Sequence, residues 1–196
     1  MSRLVIASGN PSKIREITRL LEPLGVEIVP QGALGITEAE EPHDTFIENA
    51  LAKARHAARI AGLPALADDS GLCVDALGGA PGVQSARYAG EPASDARNSE
   101  KLLTALADVS DRRAHYCCVI VLMRHGGDPQ PVITEGEWHG EILRTPRGDG
   151  GFGYDPLFLV PELGLTGAEL PLDRKNSMSH RGRALSQLLE RMGRTK

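Results

Sequence analysis

The chain has 196 residues, 41% hydrophobic and 24% charged, with aromatics at only 4% and a formal net charge of −4. That length fits one domain whose core must rest on Leu, Val, Ile and Ala. The acidic balance excludes broad affinity for nucleic-acid backbone, which needs a basic face, and no apolar stretch approaches the length of a membrane span. The three cysteines, Cys73, Cys117 and Cys118, are odd in number and lack CxxC spacing, so they read as reduced thiols. Residues 1–7 lack the long apolar core of a secretion signal and the chain turns polar at Ser8, so the expectation is a cytoplasmic protein.

In chain order, a strand is expected over residues 3–7, followed by a turn at Gly9-Asn10-Pro11. Ile14, Ile17, Leu20, Leu21 and Leu24 recur at helical spacing, with Gly25 just past the end. Residues 26–29 read as a second strand, residues 38–44 as an acidic loop, and residues 45–60 as a helix that Gly62 terminates. An apolar strand over 63–67 then leads to a turn at Asp68-Asp69-Ser70 and a short strand over 72–74. The segment Gly78-Gly79-Ala80-Pro81-Gly82-Val83 is too rich in Gly and Pro to be regular and reads as a shaped loop. A helix is expected over 94–107. Two long strands, 114–123 and 132–141, follow, joined as a hairpin or flap through His125-Gly126-Gly127-Asp128-Pro129. A buried strand over 157–160 and a last helix from near Ser179, carrying Leu185, Leu188, Leu189 and Met192, complete the chain. The alternation predicts an α/β fold, one domain over 1–196 with a β-hairpin lobe around 113–141.

Four dense polar segments carry the chemistry. Adjacent carboxylates at the end of an apolar segment, Asp68 and Asp69, repel each other and hydrate strongly, so they call for a cation or a proton to be moved. Asp69 is placed to hold Mg²⁺ and orient a water, although both acids also suit a simple turn. Ser8-Gly9-Asn10-Pro11-Ser12-Lys13, between a strand and a helix, suits an anion cradle, or more plainly a turn capped by Asn10 or Ser12. Lys13 favours the cradle, because a cation is unfavourable at a helix start unless an anion is present. Glu38, Glu40 and Glu41 precede a helix, which dipole complementarity alone explains. Phe152-Gly153-Tyr154-Asp155 sets aromatics among glycines, as a base-stacking surface requires. Lys175, His180 and Arg181 gather positive or titratable groups at the start of the last helix, again favouring a bound anion or hydrogen-bonding ligand. Together these segments read as a site for a metal-bound phosphate ester.

In this order and spacing the segments closely resemble the Ham1/RdgB family of inosine/xanthosine triphosphate pyrophosphatases, over nearly the whole chain. Ser8-Gly9-Asn10-Pro11-Ser12-Lys13 is similar to the family's TGNxxK, with Ser in place of Thr. Glu40-Glu41 with Thr45-Phe46-Ile47-Glu48-Asn49-Ala50, Ala67-Asp68-Asp69-Ser70-Gly71-Leu72, Leu77-Gly78-Gly79-Ala80-Pro81-Gly82, Ser85-Ala86-Arg87-Tyr88, Gly151-Phe152-Gly153-Tyr154-Asp155-Pro156 and Ser179-His180-Arg181 also match. The resemblance implies an elongated mixed β-sheet flanked by helices, two lobes with the substrate in the cleft between them, and a homodimer. It implies Mg²⁺-dependent hydrolysis of ITP, dITP and XTP to the monophosphate and diphosphate, which keeps deaminated purines out of nucleic acid. Asp69 would be the general base and, with Glu41 or Glu40, a Mg²⁺ ligand. Ser8, Gly9, Asn10, Pro11, Ser12 and Lys13, assisted by Lys175, would hold the phosphate chain, and Ser70, Gly153 and Tyr154 would also bind substrate. Phe152, within Phe152-Gly153-Tyr154-Asp155, would stack on the purine, with Asp155, His180 and Arg181 at the base edge. On that placement Arg181→Ala should lose discrimination between ITP and ATP more than it loses stability. A sensor that binds nucleotide without cleaving it is the rival reading, and diphosphate release separates the two.

Overall fold

The computed structural model describes residues 2–22 and 25–193. Strands β1 (Arg3–Ile6) and β2 (Glu27–Pro30) pair in parallel, with Val5 opposite Val29. Parallel neighbours require a crossover, and α1 (Pro11–Leu21) supplies it. Its Ile17 and Leu21, one turn apart, are both buried. Leu24, expected in this helix, lies outside the described residues. β3 (Ala65–Val74) pairs in parallel along the other side of β1, with Ile6 opposite Leu66.

Residues 65–74 form one continuous strand, which corrects the expected turn at Asp68-Asp69-Ser70. Gly71 keeps a negative φ, and the segment from Ala65 to Asp69 is wholly buried. Adjacent acids normally bend a chain toward water. Here each carboxylate meets a cation inside the fold, so the strand runs on through them.

Helix α2 (Phe46–Ala61) starts at Thr45, whose Oγ1 accepts from the Glu48 N–H, and ends at Gly62, whose φ of +62° permits the left-handed cap. The Gly-rich segment after β3 contains two short 3₁₀ turns, Asp75–Leu77 and Gly82–Arg87, with Gly78, Gly79 and Gly82 at positive φ. Helix α3 (Asp95–Ala105), capped by Ser94, and strands β4 (Arg113–Met123) and β5 (Val132–Ile142) agree with expectation. β6 (Phe158–Val160) and β7 (Leu165–Thr166) follow. β5–β6 and β6–β7 are antiparallel. The seven strands form one mixed sheet in the order β2-β1-β3-β4-β5-β6-β7.

Helix α4 (Leu172–Met178) was not expected, because seven residues with Leu172 and Met178 as their only apolar side chains carry no readable period. It places Lys175 in a last helical turn, which suits a cation. The expected conflict of Lys175 with a helix start therefore does not arise. The last helix is α5 (His180–Gly193).

Two compact units divide the chain. The first comprises residues 1–69, 118–136 and 181–196; Leu4, Ile6, Ile17, Leu21, Leu66, Ile120, Leu185 and Leu188 form its core. The second comprises residues 70–117 and 137–180, around Leu72, Leu102, Tyr116, Trp138, Phe158 and Val160. In the second, the Tyr116 and Trp138 rings lie 4.7 Å and 5.0 Å from Phe158. Among the described residues no helix is long and apolar enough to cross a membrane.

Candidate active site

In the first unit the chemistry gathers where β1, α1, α2, β3 and α5 bring their polar residues together. Asn10 caps α1, its Oδ1 accepting from the backbone N–H of Ser12 at 2.9 Å and of Lys13 at 3.1 Å. The Ser8 hydroxyl accepts from the Asn10 N–H. Pro11 opens the helix, where its missing N–H costs nothing. A Cβ at Gly9 would meet only the far end of the exposed Glu38 side chain.

Lys13 has an anion from its own chain, because its ammonium lies 3.2 Å from Asp68. The Asp68 side chain is fully buried and also accepts from Arg181 at 3.0 Å, while Arg181 donates in addition to Glu16. Burial pushes the Asp68 carboxyl up, but Lys13, Arg181 and Lys53 outweigh it and hold the group well below the usual carboxylate range. Arg181, which the motif suggests for the base edge, is thus placed in this carboxylate cluster.

Asp69 sits differently. Its Oδ1 accepts from the Lys53 ammonium at 2.8 Å, and Lys53 also lies 3.2 Å from Glu41. Burial pushes the Asp69 carboxyl above its ordinary value, against the opposing pull of Lys53 and Lys13. Burial alone would lower the Lys53 ammonium, yet Asp69, Asp68 and Glu41 together raise it. Asp69 Oδ2 is buried with no hydrogen-bond partner among the described residues. An orphaned carboxylate oxygen costs free energy unless a cation or proton meets it. Glu41 joins this group through Lys53, whereas Glu40 is exposed to solvent. No three His, Cys, Asp or Glu among the described residues converge as a preformed cage. Mg²⁺, however, is commonly held by one or two carboxylates and completed by water and substrate phosphates. Asp69 and Glu41 are a donor set of that kind.

Sequence reasoning missed Lys53 and Glu16. Both lie among apolar neighbours in helices, Lys53 among buried Ala50, Ala54 and Ala57 and Glu16 beside Ile17. A charged residue on a buried stripe was the available signal.

The second unit holds the aromatic segment. Phe152 is partly exposed, and its N–H donates to Asp155 at 2.9 Å. The same Asp155 oxygen accepts from Lys175 at 2.6 Å, and the Lys175 ammonium lies 5.0 Å from the Phe152 ring centre. The buried Asp155 and Lys175 therefore fasten the loop that carries Phe152. The Gly153 N–H donates to Asp95, the first residue of α3. Tyr154 is a core residue whose hydroxyl donates to the Ser85 carbonyl. His180 is buried and stacks on Tyr116 at 4.7 Å with an interplanar angle of 10°. Ser70 is partly exposed on β3. Lys175, expected on the phosphate chain, is thus placed with Phe152 and Asp155.

The Ham1 family profile matches residues 4–191. The chain is 65% identical over 190 residues to a dITP/XTP pyrophosphatase of Nitrosomonas europaea, covering 97% of this chain and 94% of that one. It is 64% identical over 195 residues to a dITP/XTP pyrophosphatase of Ralstonia nicotianae, covering 98% and 97%. Among solved structures, a HAM1 protein from Coxiella burnetii superposes with a TM-score of 0.92 at 52% identity, covering 99% of this chain and 100% of that one. The Ham1 protein of Staphylococcus aureus gives 0.88 at 40%, with the same coverage.

Proposed function

Because the chain belongs to the Ham1 family, we propose that it hydrolyses deaminated purine nucleoside triphosphates (ITP, dITP and XTP) to the monophosphate and diphosphate. The relatives at 65% and 64% identity carry the name dITP/XTP pyrophosphatase, which supports this substrate class. The observation that carries the chemistry is Asp69. It is a buried carboxylate with one oxygen held by Lys53 and the other without a partner among the described residues.

In this reading Asp69 is the general base. Burial raises its proton affinity, which suits a group that must take a proton from water. The water oxygen bonds to the α-phosphorus, the bond from that phosphorus to the bridging oxygen breaks, and diphosphate leaves. Lys53 fixes the Asp69 carboxylate by one oxygen, leaving Oδ2 for the proton. Lys13 and the Ser8–Ser12 segment receive the phosphate chain, and Ser70, next to Asp69 in sequence, also binds substrate. Asp68, kept ionised by Arg181 and Lys13, holds the Lys13 ammonium in place. Arg181 acts on the phosphates through Asp68. A Mg²⁺ ion held by Asp69 and Glu41 would supply charge neutralisation for the diphosphate leaving group.

Base recognition falls to the loop that carries Phe152. Phe152 is the stacking surface, Asp155 and Lys175 hold it, and His180 or a backbone amide addresses the base edge. Hypoxanthine and xanthine carry an acceptor oxygen at C6 where adenine carries an amino donor. A donor aimed there therefore accepts the first two and clashes with adenine, whereas guanine, which shares the C6 oxygen, must be excluded at its 2-amino group. Residues 1–196 act as one functional domain. Cys73, Cys117 and Cys118 as reduced residues fit a cytoplasmic setting, and a homodimer belongs to the same family reading.

The test is to identify the products from ITP with Mg²⁺ and again with EDTA. Inosine monophosphate and diphosphate in equal amounts, with turnover lost in EDTA, is the expected result. Inosine diphosphate with orthophosphate would move the cleavage to another bond. Binding without any product would favour the sensor.

A further inference from the structure

Phe152 is fixed by more than its own motif. Its backbone N–H donates to Asp155, and the next N–H along the chain, that of Gly153, donates to Asp95 at 2.7 Å. Two carboxylates thus grip successive amides, one from within the loop and one from helix α3, 58 residues away in sequence. Gly153 has a φ of +63°, so its N–H faces outward to Asp95 from a backbone conformation that most residues avoid. Gly151, at φ +71°, packs so closely on Asp155 that a Cβ would lie 2.2 Å from its carboxylate. The inner grip is made by the buried Asp155 side chain, whereas the outer one is made by an exposed side chain. It borders an open cleft of about 510 Å³, lined among others by Ser99, Glu100, Leu103 and Leu157.

We infer that Asp95 is a positioning residue for base recognition, setting the plane of the Phe152 ring by holding the Gly153 amide from α3. The inference rests on Phe152 as the stacking surface for the purine. Asp95 touches no substrate. It acts by keeping the loop in the stacking conformation before the ligand arrives, so its loss is felt in binding more than in the chemical step. Asp95 has a second effect, that of a negative charge in the first turn of a helix. The two effects separate by substitution. Asparagine keeps an acceptor for the Gly153 N–H and loses the charge, whereas alanine loses both.

The experiment is steady-state hydrolysis of ITP by wild type, Asp95→Asn and Asp95→Ala, with inosine monophosphate inhibition and thermal melting measured on each. Alanine should raise KM for ITP and Ki for the monophosphate about tenfold, the loss expected for a charge-assisted hydrogen bond open to water. Its kcat should fall less than about threefold. Asparagine should stay within about twofold of wild type in both constants, and both variants should melt within about 4 °C of it. Equal effects of the two substitutions would overturn the inference in favour of the helix charge. An alanine variant with wild-type KM and Ki would overturn it outright. A wild-type enzyme that does not turn over ITP would instead count against the proposed function itself.

Discussion

Replacing Arg181 with methionine isolates what the buried ion cluster contributes. The guanidinium side chain is 2% exposed, and its partners Asp68 and Glu16 are 0% and 5% exposed. Methionine fills similar space, so the loss is electrostatic rather than a cavity. Two carboxylates lose their shared cation, and Asp68 keeps Lys13 at 3.2 Å. Removing one partner of a buried pair costs about 3–5 kcal/mol, because the remaining charge stays desolvated. With a urea m-value of about 2 kcal/mol/M, the unfolding midpoint at pH 7.5 should fall by about 2 M. The pH dependence has a fixed sign. The Asp68 pKa is depressed in the fold, so its contribution is complete above the unfolded value of about 3.9 and is lost as pH falls through the folded one. With one cation fewer the folded pKa rises toward the unfolded one, so the gap between wild type and variant should hold from neutral pH down to about 4 and narrow only below it. Urea titrations followed by circular dichroism at pH 7.5 and at about pH 3 measure both effects. A midpoint shift under about 0.5 M at neutral pH would refute this reasoning. The motif alone would put the larger effect on discrimination between ITP and ATP. The fold puts it on stability.

Asp69→Asn should abolish diphosphate release while the circular dichroism spectrum and melting stay near those of wild type; a near-normal kcat would remove Asp69 from the chemistry. Phe152→Ala should raise KM for ITP by about tenfold, as expected for a lost base–aromatic stack, and an unchanged KM would place the base elsewhere. Gly140→Ala should cost about 2 kcal/mol or more, since its Cβ would lie 2.3 Å from the Leu159 carbonyl and 2.7 Å from the Phe158 ring. Gly9→Ala should cost far less, because the atom it meets is the far end of the exposed Glu38 side chain. Chemical denaturation of the pair checks the ranking, and equal losses would contradict it.

Most of the framework was readable from pattern. Hydrophobic spacing located α1, α3 and α5, the Gly62 terminator marked the end of α2, and the change of period after α3 located β4 and β5. What escaped has physical causes. Asp68 and Asp69 look like turn residues in a linear reading, because the cations that keep them in a strand come from Lys13, Lys53 and Arg181, up to 113 residues away. Helix α4 is too short to show a period. Lys13 and Arg181 each sit near a helix start, where position alone points to a bound anion or ligand. That the anion is Asp68 of the same chain depends on tertiary contact, which spacing does not encode. Likewise Tyr154 stands in an aromatic motif but packs into the core. Asp155 spends its carboxylate on Lys175 and the Phe152 amide.

The central claim is selective cleavage of deaminated purine triphosphates, and competition tests it most directly. Wild-type enzyme with Mg²⁺ is given dITP mixed with equal dATP and dGTP, and each monophosphate is followed over time. dIMP should accumulate with diphosphate while dAMP and dGMP lag by a factor of about a hundred or more. Equal rates for the three would contradict it, leaving a pyrophosphatase without the base recognition assigned to Phe152 and its neighbours.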